Sequence, residues 1–160
     1  MSGQNNRNRK FQDFINANKI VDDAVGIDEL GALQEKTKVF LYDFGVLGGS
    51  AGAKTLTDSD GNAATLPDNA LVSKITIDVV TPLASSGSAT VALGVVTDGA
   101  ANFKGATAFD NGAYVAATQV PFLPAVGKKL TGARSVIATI ATAALTAGKF
   151  FLYVSYYEGN

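Results

Sequence analysis

The sequence predicts an all-β protein built as a sandwich of about eight antiparallel strands behind an N-terminal arm with little or short helical structure. Three observations carry this. Apolar and polar residues alternate with period two over several short runs, as in Lys74-Ile75-Thr76-Ile77-Asp78-Val79. Gly, Pro, Asn, Asp and Ser cluster between those runs at regular spacing. After residue 36 no segment shows convincing helical periodicity.

Residues 1–35 read as the arm, and residues 36–160 as the sandwich domain. Arg7, Arg9, Lys10 and Lys19 make the first part of the arm basic, while Asp22, Asp23, Asp28, Glu29 and Glu35 make its second part acidic. Phe11, Phe14 and Ile15 stand at i, i+3 and i+4 and would share one face of a short helix. Ile20, Val21, Val25, Ile27, Leu30 and Leu33 form a second apolar ridge, broken by Gly26 and Gly31. A helix this short is marginal alone in water. The arm is therefore expected to order on a partner surface, with Phe11, Phe14, Ile15, Ile20, Val21 and Val25 as its contacts. A disordered tail and docking back onto the chain's own domain are the alternatives.

The first strand is expected in KTKVFLYDFGVL, where Val39, Leu41 and Asp43 oppose Phe40, Tyr42 and Phe44. A long Gly/Ser-rich connection follows, with a short strand near Thr55 to Thr57. Pro67, Asp68 and Asn69 supply turn chemistry before a strand from Leu71 to Val80, which Pro82 should end. Ser85 to Ser88 read as a hairpin connection into a strand from Ala89 to Val96. Two weaker strands, Lys104 to Phe109 and Tyr114 to Val120, flank Asp110-Asn111-Gly112, a strong hairpin signal. Pro121 and Pro124 bracket a loop, Ser135 to Ala141 is a strand, and Leu145 to Lys149 forms a turn before a last strand, Phe150 to Tyr157. A jelly-roll-like order fits such a series, although periodicity does not reveal strand order.

Composition narrows the chemistry. With 160 residues of which 47% are hydrophobic, the chain can bury a cooperative core without staples. A net charge of −1 gives no electrostatic case for nucleic-acid binding. The sequence has no Cys, which removes disulfides and thiolate sites, and no His, which removes imidazole ligands and the usual near-neutral acid/base. No apolar run reaches the roughly 18 residues of a membrane span, and no apolar stretch follows the basic N-terminal residues as in a secretory signal.

No catalytic, cofactor-binding or metal-binding residue is nominated, no cofactor is expected, and the expectation is of a protein that is not an enzyme. Asp58-Ser59-Asp60-Gly61-Asn62 is the nearest approach to a calcium loop, but the twelfth position is Asn69 and the segment reads as a solvated turn. The Gly48 to Gly52 stretch lacks the residues of a phosphate cradle. Lys128, Lys129 and Arg134 read as a solvated basic loop. The last strand differs, since Phe150, Leu152, Val154 and Tyr156 fall on one face and Phe151, Tyr153, Ser155 and Tyr157 on the other. One face must be core. The other, with Phe151, Tyr153 and Tyr157, is a candidate subunit interface because aromatics are enriched at interfaces, the alternative being an internal core strand buried on both faces.

Three segments, LYDFGVLGG, LPDNALVSKITIDVVTPLASSGSATVALGV and ATAALTAGKFFLYVSYY, resemble small structural proteins of tailed bacteriophages. The likeness covers roughly residues 39 to 157 and is one of texture and order, with no catalytic motif in it. It implies a virion component, commonly a capsid decoration (cement) protein, with a jelly-roll-like β-sandwich, a homotrimeric assembly and an arm over neighbouring subunits. The implied partner is the major capsid protein, with neither nucleic acid nor membrane bound. The implied location is the capsid surface, after synthesis in the host bacterial cytoplasm. The rival reading is a fibre, spike or receptor-binding module that recognises a host glycan, with Tyr153 and Tyr157 available for stacking.

Overall fold

Alternating strands bury one face only if a second sheet covers it, and this chain supplies both sheets itself. The computed structural model describes residues 34–97, 99–115, 119–122 and 128–158. The chain divides into two units, Met1–Gln34 and Glu35–Asn160, and the second unit carries both sheets. The expected arm contacts Phe11, Phe14, Ile15, Ile20, Val21 and Val25 lie outside the described residues.

The elements in chain order are β1 (Lys36–Asp43), α1 (Phe44–Leu47), β2 (Gly52–Thr55), β3 (Thr65–Leu66), β4 (Ala70–Ser85) and β5 (Thr90–Val95). They continue with β6 (Gly99–Ala108), α2 (Gly112–Val115), β7 (Gln119–Phe122), β8 (Lys128–Lys129), β9 (Arg134–Ala141) and β10 (Leu145–Glu158). One sheet has the order β1-β10-β4-β7, with β8 added to β4; the other has the order β2-β9-β5-β6, with β3 added to β9. Every pairing is antiparallel. The pairs are nested: β1 with β10, β2 with β9, β4 with β7 and β5 with β6. Alternate pairs go to alternate sheets, so the chain forms an all-β sandwich.

The core lies between the two inner faces. The first sheet contributes Phe40 and Tyr42, then Ile75, Ile77 and Val79, then Phe150, Leu152 and Val154, each at most 3% exposed. The second contributes Val91, Leu93, Val95, Val136, Ala138 and Ile140, each at most 1% exposed. Burying one such side chain stabilises the fold by about 1.5–3 kcal/mol. Tyr42 stacks on Phe150 with ring centroids 5.2 Å apart, and Tyr114 tilts against the same ring at 6.2 Å. Both tyrosines find partners for their polar ends: the Tyr42 hydroxyl donates to the Gly48 carbonyl at 3.0 Å and that of Tyr114 to the Val91 carbonyl at 3.2 Å.

Several elements differ from the sequence reading. The Ser85 to Ser88 segment is not a hairpin, because β4 and β5 lie in opposite sheets. Alternation shows which face a strand buries but not which strand lies beside it. The edges of β4 are taken by β10, β7 and β8, and those of β5 by β9 and β6. The segment arches between sheets instead, with the Ser85 hydroxyl donating to the Ala144 carbonyl at 2.7 Å and accepting from the Gly87 N–H at 3.1 Å.

The Asn111-Gly112 signal also makes no hairpin. Asn111 Oδ1 accepts the Ala113 N–H at 3.1 Å and its carbonyl accepts the Tyr114 N–H at 2.8 Å, so the residue opens the helical turn α2. Burial of Tyr114, which is 0% exposed, fixes that turn against the core. The first strand stops at Asp43, whose carboxylate caps α1 by accepting the Gly45 N–H at 2.9 Å. Phe44 then packs against the core from a helical turn.

Pro82 does not end β4, which runs on to Ser85 through register shifts against β10. Those shifts tolerate a residue without an N–H. Pro121 lies within β7, opposite Thr76, rather than in a loop. Leu145 to Lys149 belongs to β10 rather than to a turn, and Lys128 and Lys129 pair as β8 with Leu71 and Val72 rather than forming a loop.

Gly49 sits where two backbones meet. Its carbonyl accepts the Leu145 N–H at 2.9 Å, and a Cβ there would lie 2.1 Å from the Leu145 carbonyl oxygen. Gly49→Ala is expected to destabilise the domain by about 1–3 kcal/mol in urea unfolding, since the clash is with backbone. Gly105→Ala, where a Cβ meets nothing within 4 Å, should leave the midpoint unchanged or raise it. Tyr114→Phe removes a buried hydrogen bond and should cost about 1 kcal/mol in the same assay.

Candidate interaction surface

The side chains of β10 separate cleanly. Phe150, Leu152, Val154 and Tyr156 are buried, whereas Phe151, Tyr153, Ser155 and Tyr157 are half-buried on the outer face of the first sheet. The three aromatics singled out from the sequence thus share one face. β10 is an interior strand of its sheet, so residues of both neighbours flank them. Register places Val39 and Thr76 beside Tyr153, Leu41 and Asp78 beside Phe151, and Leu71 beside Tyr157. Pro121 extends the Tyr153 row on the far side of Thr76.

Leu71 is a residue that simple alternation misplaces. Counting by twos from Ile75 and Ile77 puts Leu71 in the core. A register shift between Ser155 and Tyr156 inserts Ser73 as an extra residue, which reverses the parity. Ala70 and Val72 therefore point inward, at 0% and 2% exposure, and Leu71 is 43% exposed. Val80, 53% exposed, follows the plain alternation outward beside the inward Val79. No sequence signal marks the bulge at Ser73.

Ion pairs stand at both ends of the β1–β10 pair. Lys36 meets Glu158 at 2.6 Å and Lys149 meets Asp43 at 2.9 Å. Such exposed pairs contribute little stability individually, about 0–1 kcal/mol. Near the first of them, Ser73 Oγ lies 2.5 Å from Glu35 Oε1 and 3.1 Å from the Ser155 carbonyl oxygen.

Asp58 has a structural duty. Asp58 Oδ1 accepts the N–H groups of Asp60 at 3.0 Å and Asn62 at 2.8 Å, and these donors hold its carboxyl below the ordinary range. That is the chemistry of a turn. Among the described residues no three Asp, Glu, His or Cys side chains stand together as metal ligands, and no charged side chain is buried. Burial, with the negative charge of Asp43 as a smaller cause, pushes the Tyr42 hydroxyl up to about 12. Burial raises that of Tyr114 as well, against an opposing contact from the Thr107 hydroxyl. Neither phenol is poised to exchange a proton near neutrality.

No protein-family model matches the sequence, and no curated protein matches it. Solved structures do. The chain is similar to one in the cyanophage Pam1 capsid asymmetric unit, with a TM-score of 0.57 and 20% identity over 79% of this chain and 86% of that one. It is also similar to a chain in the acidic stable capsid structure of Helicobacter pylori bacteriophage KHP30, with a TM-score of 0.52 and 21% identity over 77% of this chain and 86% of that one. Comparable shares of both chains align, so each matched chain is close to this one in length. At these identities the likeness is one of fold.

Asp43 gives this surface a pH dependence of calculable sign. The hydrogen bond from Lys149, followed by that from the Gly45 N–H, lowers its pKa from 3.8. A carboxylate depressed in the folded state contributes stability above its unfolded pKa and loses it as pH falls through the folded value. Thermal unfolding should accordingly show the midpoint dropping as pH is taken through and below 3.8. Asp43→Asn should lower the midpoint at neutral pH and flatten that acid limb.

Proposed function

We propose that this chain is a non-enzymatic structural protein of a tailed-bacteriophage virion, a capsid decoration (cement) protein seated on the outer surface of the major capsid protein shell. The observation that carries the reading is the shared fold with chains of similar length in two phage capsids. The nested strand order supports a jelly roll, since each strand pair encloses the next and alternate pairs fall in alternate sheets. An apolar outer face on the first sheet supports a role in contact rather than in chemistry.

The mechanism is mass action. A protein that binds assembled shell and not dissociated subunits stabilises the assembled state by RT ln(1 + [L]/Kd), about 2.7 kcal/mol per site at a hundredfold excess over Kd. Residues 1–35 act as the arm, with Phe11, Phe14, Ile15, Ile20, Val21 and Val25 meeting the shell or adjacent subunits. In the homotrimer that the sequence resemblance implies, three arms bind multivalently, so weak single contacts hold firmly together. The arm's split charge sets its register on a complementary surface.

Electron microscopy of purified particles tests this directly. Density for the sandwich should repeat over the outer capsid lattice, and density confined to the tail or its tips would refute the decoration reading. Particles stripped of the protein should disassemble at lower temperature and recover on its return. Variants lacking residues 1–35 should restore that stability much less well. A fibre or receptor-binding module is the second reading, favoured by Tyr153 and Tyr157 on an outward face. Saturable binding on a glycan array, abolished by Tyr153→Ala or Tyr157→Ala, would select it.

A further inference from the structure

The outer face of the first sheet is arranged symmetrically about one row of residues. That row runs across the strands through Val39, Tyr153, Thr76 and Pro121. On β4, Lys74 stands two residues before Thr76 and Asp78 two residues after it. Beyond them lie the exposed apolar residues Leu71, turned outward by the bulge at Ser73, and Val80, outward by plain alternation. On β10, Tyr157 lies four residues to one side of Tyr153 and Lys149 four residues to the other. Lys74 and Asp78 form no ion pair among the described residues.

A two-fold axis lying along that row and parallel to the sheet turns the face onto a second copy of itself. Residues on the row then meet their own counterparts. Lys74 meets Asp78 of the second copy and the reverse, Leu71 approaches Val80, and the Tyr157 ring approaches Lys149. Opposite charges and apolar groups coincide twice over, which is the self-complementarity an isologous contact requires. Two sheets stacked in this way pack about 10 Å apart with strands aligned to within about 30°. The apolar groups supply the driving force, and the charge pairs select the register.

We propose that the outer face of the β1-β10-β4 sheet is a two-fold contact between copies of this chain, centred on Thr76 and Tyr153 and keyed by Lys74 against Asp78. The contact concerns the chain alone and does not depend on its being a virion protein, so the two readings fail separately.

The sequence contains no cysteine, so one introduced thiol reports on one place. The full-length Thr76→Cys variant is treated with a short bis-maleimide, whose reach of about 8–10 Å matches the sheet spacing. The expected result is a covalent dimer on a denaturing gel, in clear excess over a Thr90→Cys control on the other sheet. Adding Lys74→Asp, or separately Asp78→Lys, places like charges opposite one another and should cut the yield several-fold at low salt. Combining the two restores complementarity and should restore the yield. Circular dichroism and a monofunctional maleimide check that each variant is folded and reacts. A yield no greater than the control's, or one indifferent to the charge changes, overturns the proposal. So does a folded Thr76→Cys variant that fails to label, because another segment of the chain then covers the face.

Discussion

The constraint on which the structure depends is that β10 must be paired on both edges and covered on its inner face at once. Its inner residues, Phe150, Leu152 and Val154, are essentially without solvent contact. β1 and β4 satisfy its backbone on either side, and the second sheet closes over its side chains. Because β1 and β10 lie near opposite ends of the domain, this pairing closes the nested series. β2 with β9, β4 with β7 and β5 with β6 then fall inside it. Antiparallel nesting of this kind delays many contacts until distant segments meet, a property associated with slow folding.

An irregularity in that same strand pairing extends the outer surface. A uniform ladder would have hidden Leu71 in the core and exposed Val72. The extra residue at Ser73 exchanges them, while Val80 at the other end is outward by the ordinary alternation of the strand. The outer face thereby gains an apolar group at the Leu71 end of β4 without loss from the core, since Val72 and Ala70 take the inward places. Bulges commonly re-aim side chains in this way. The polar groups hold turns and ends: Asp43 caps α1 and meets Lys149, Asp58 closes its own turn, and Asn111 opens α2.

Many of the sandwich's polar groups serve its own turns and strand ends. Its likeness to chains in two phage capsids is one of fold. The outer aromatics of β10, with aliphatic neighbours from the strands on either side, make a face rather than a cleft. Energy at such a face comes from apolar area, and orientation comes from the few charges around it.

By itself the sequence determined the all-β class, most of the strands and the division of each into two faces, because period-two alternation is a local property of the backbone. It also separated Phe150 from Phe151, and so distinguished the core side of β10 from the side now seen to face outward. Tertiary structure alone decided that β4 and β5 lie in opposite sheets, because no local pattern records which edge a strand will share. It alone decided that Asn111 opens a helical turn, since the burial of Tyr114 outweighs the hairpin preference of Asn-Gly. It alone brought Leu71 to the outer face. A bulge becomes visible only when two strands are laid side by side, and the register that reveals it is set by the packing of the whole core.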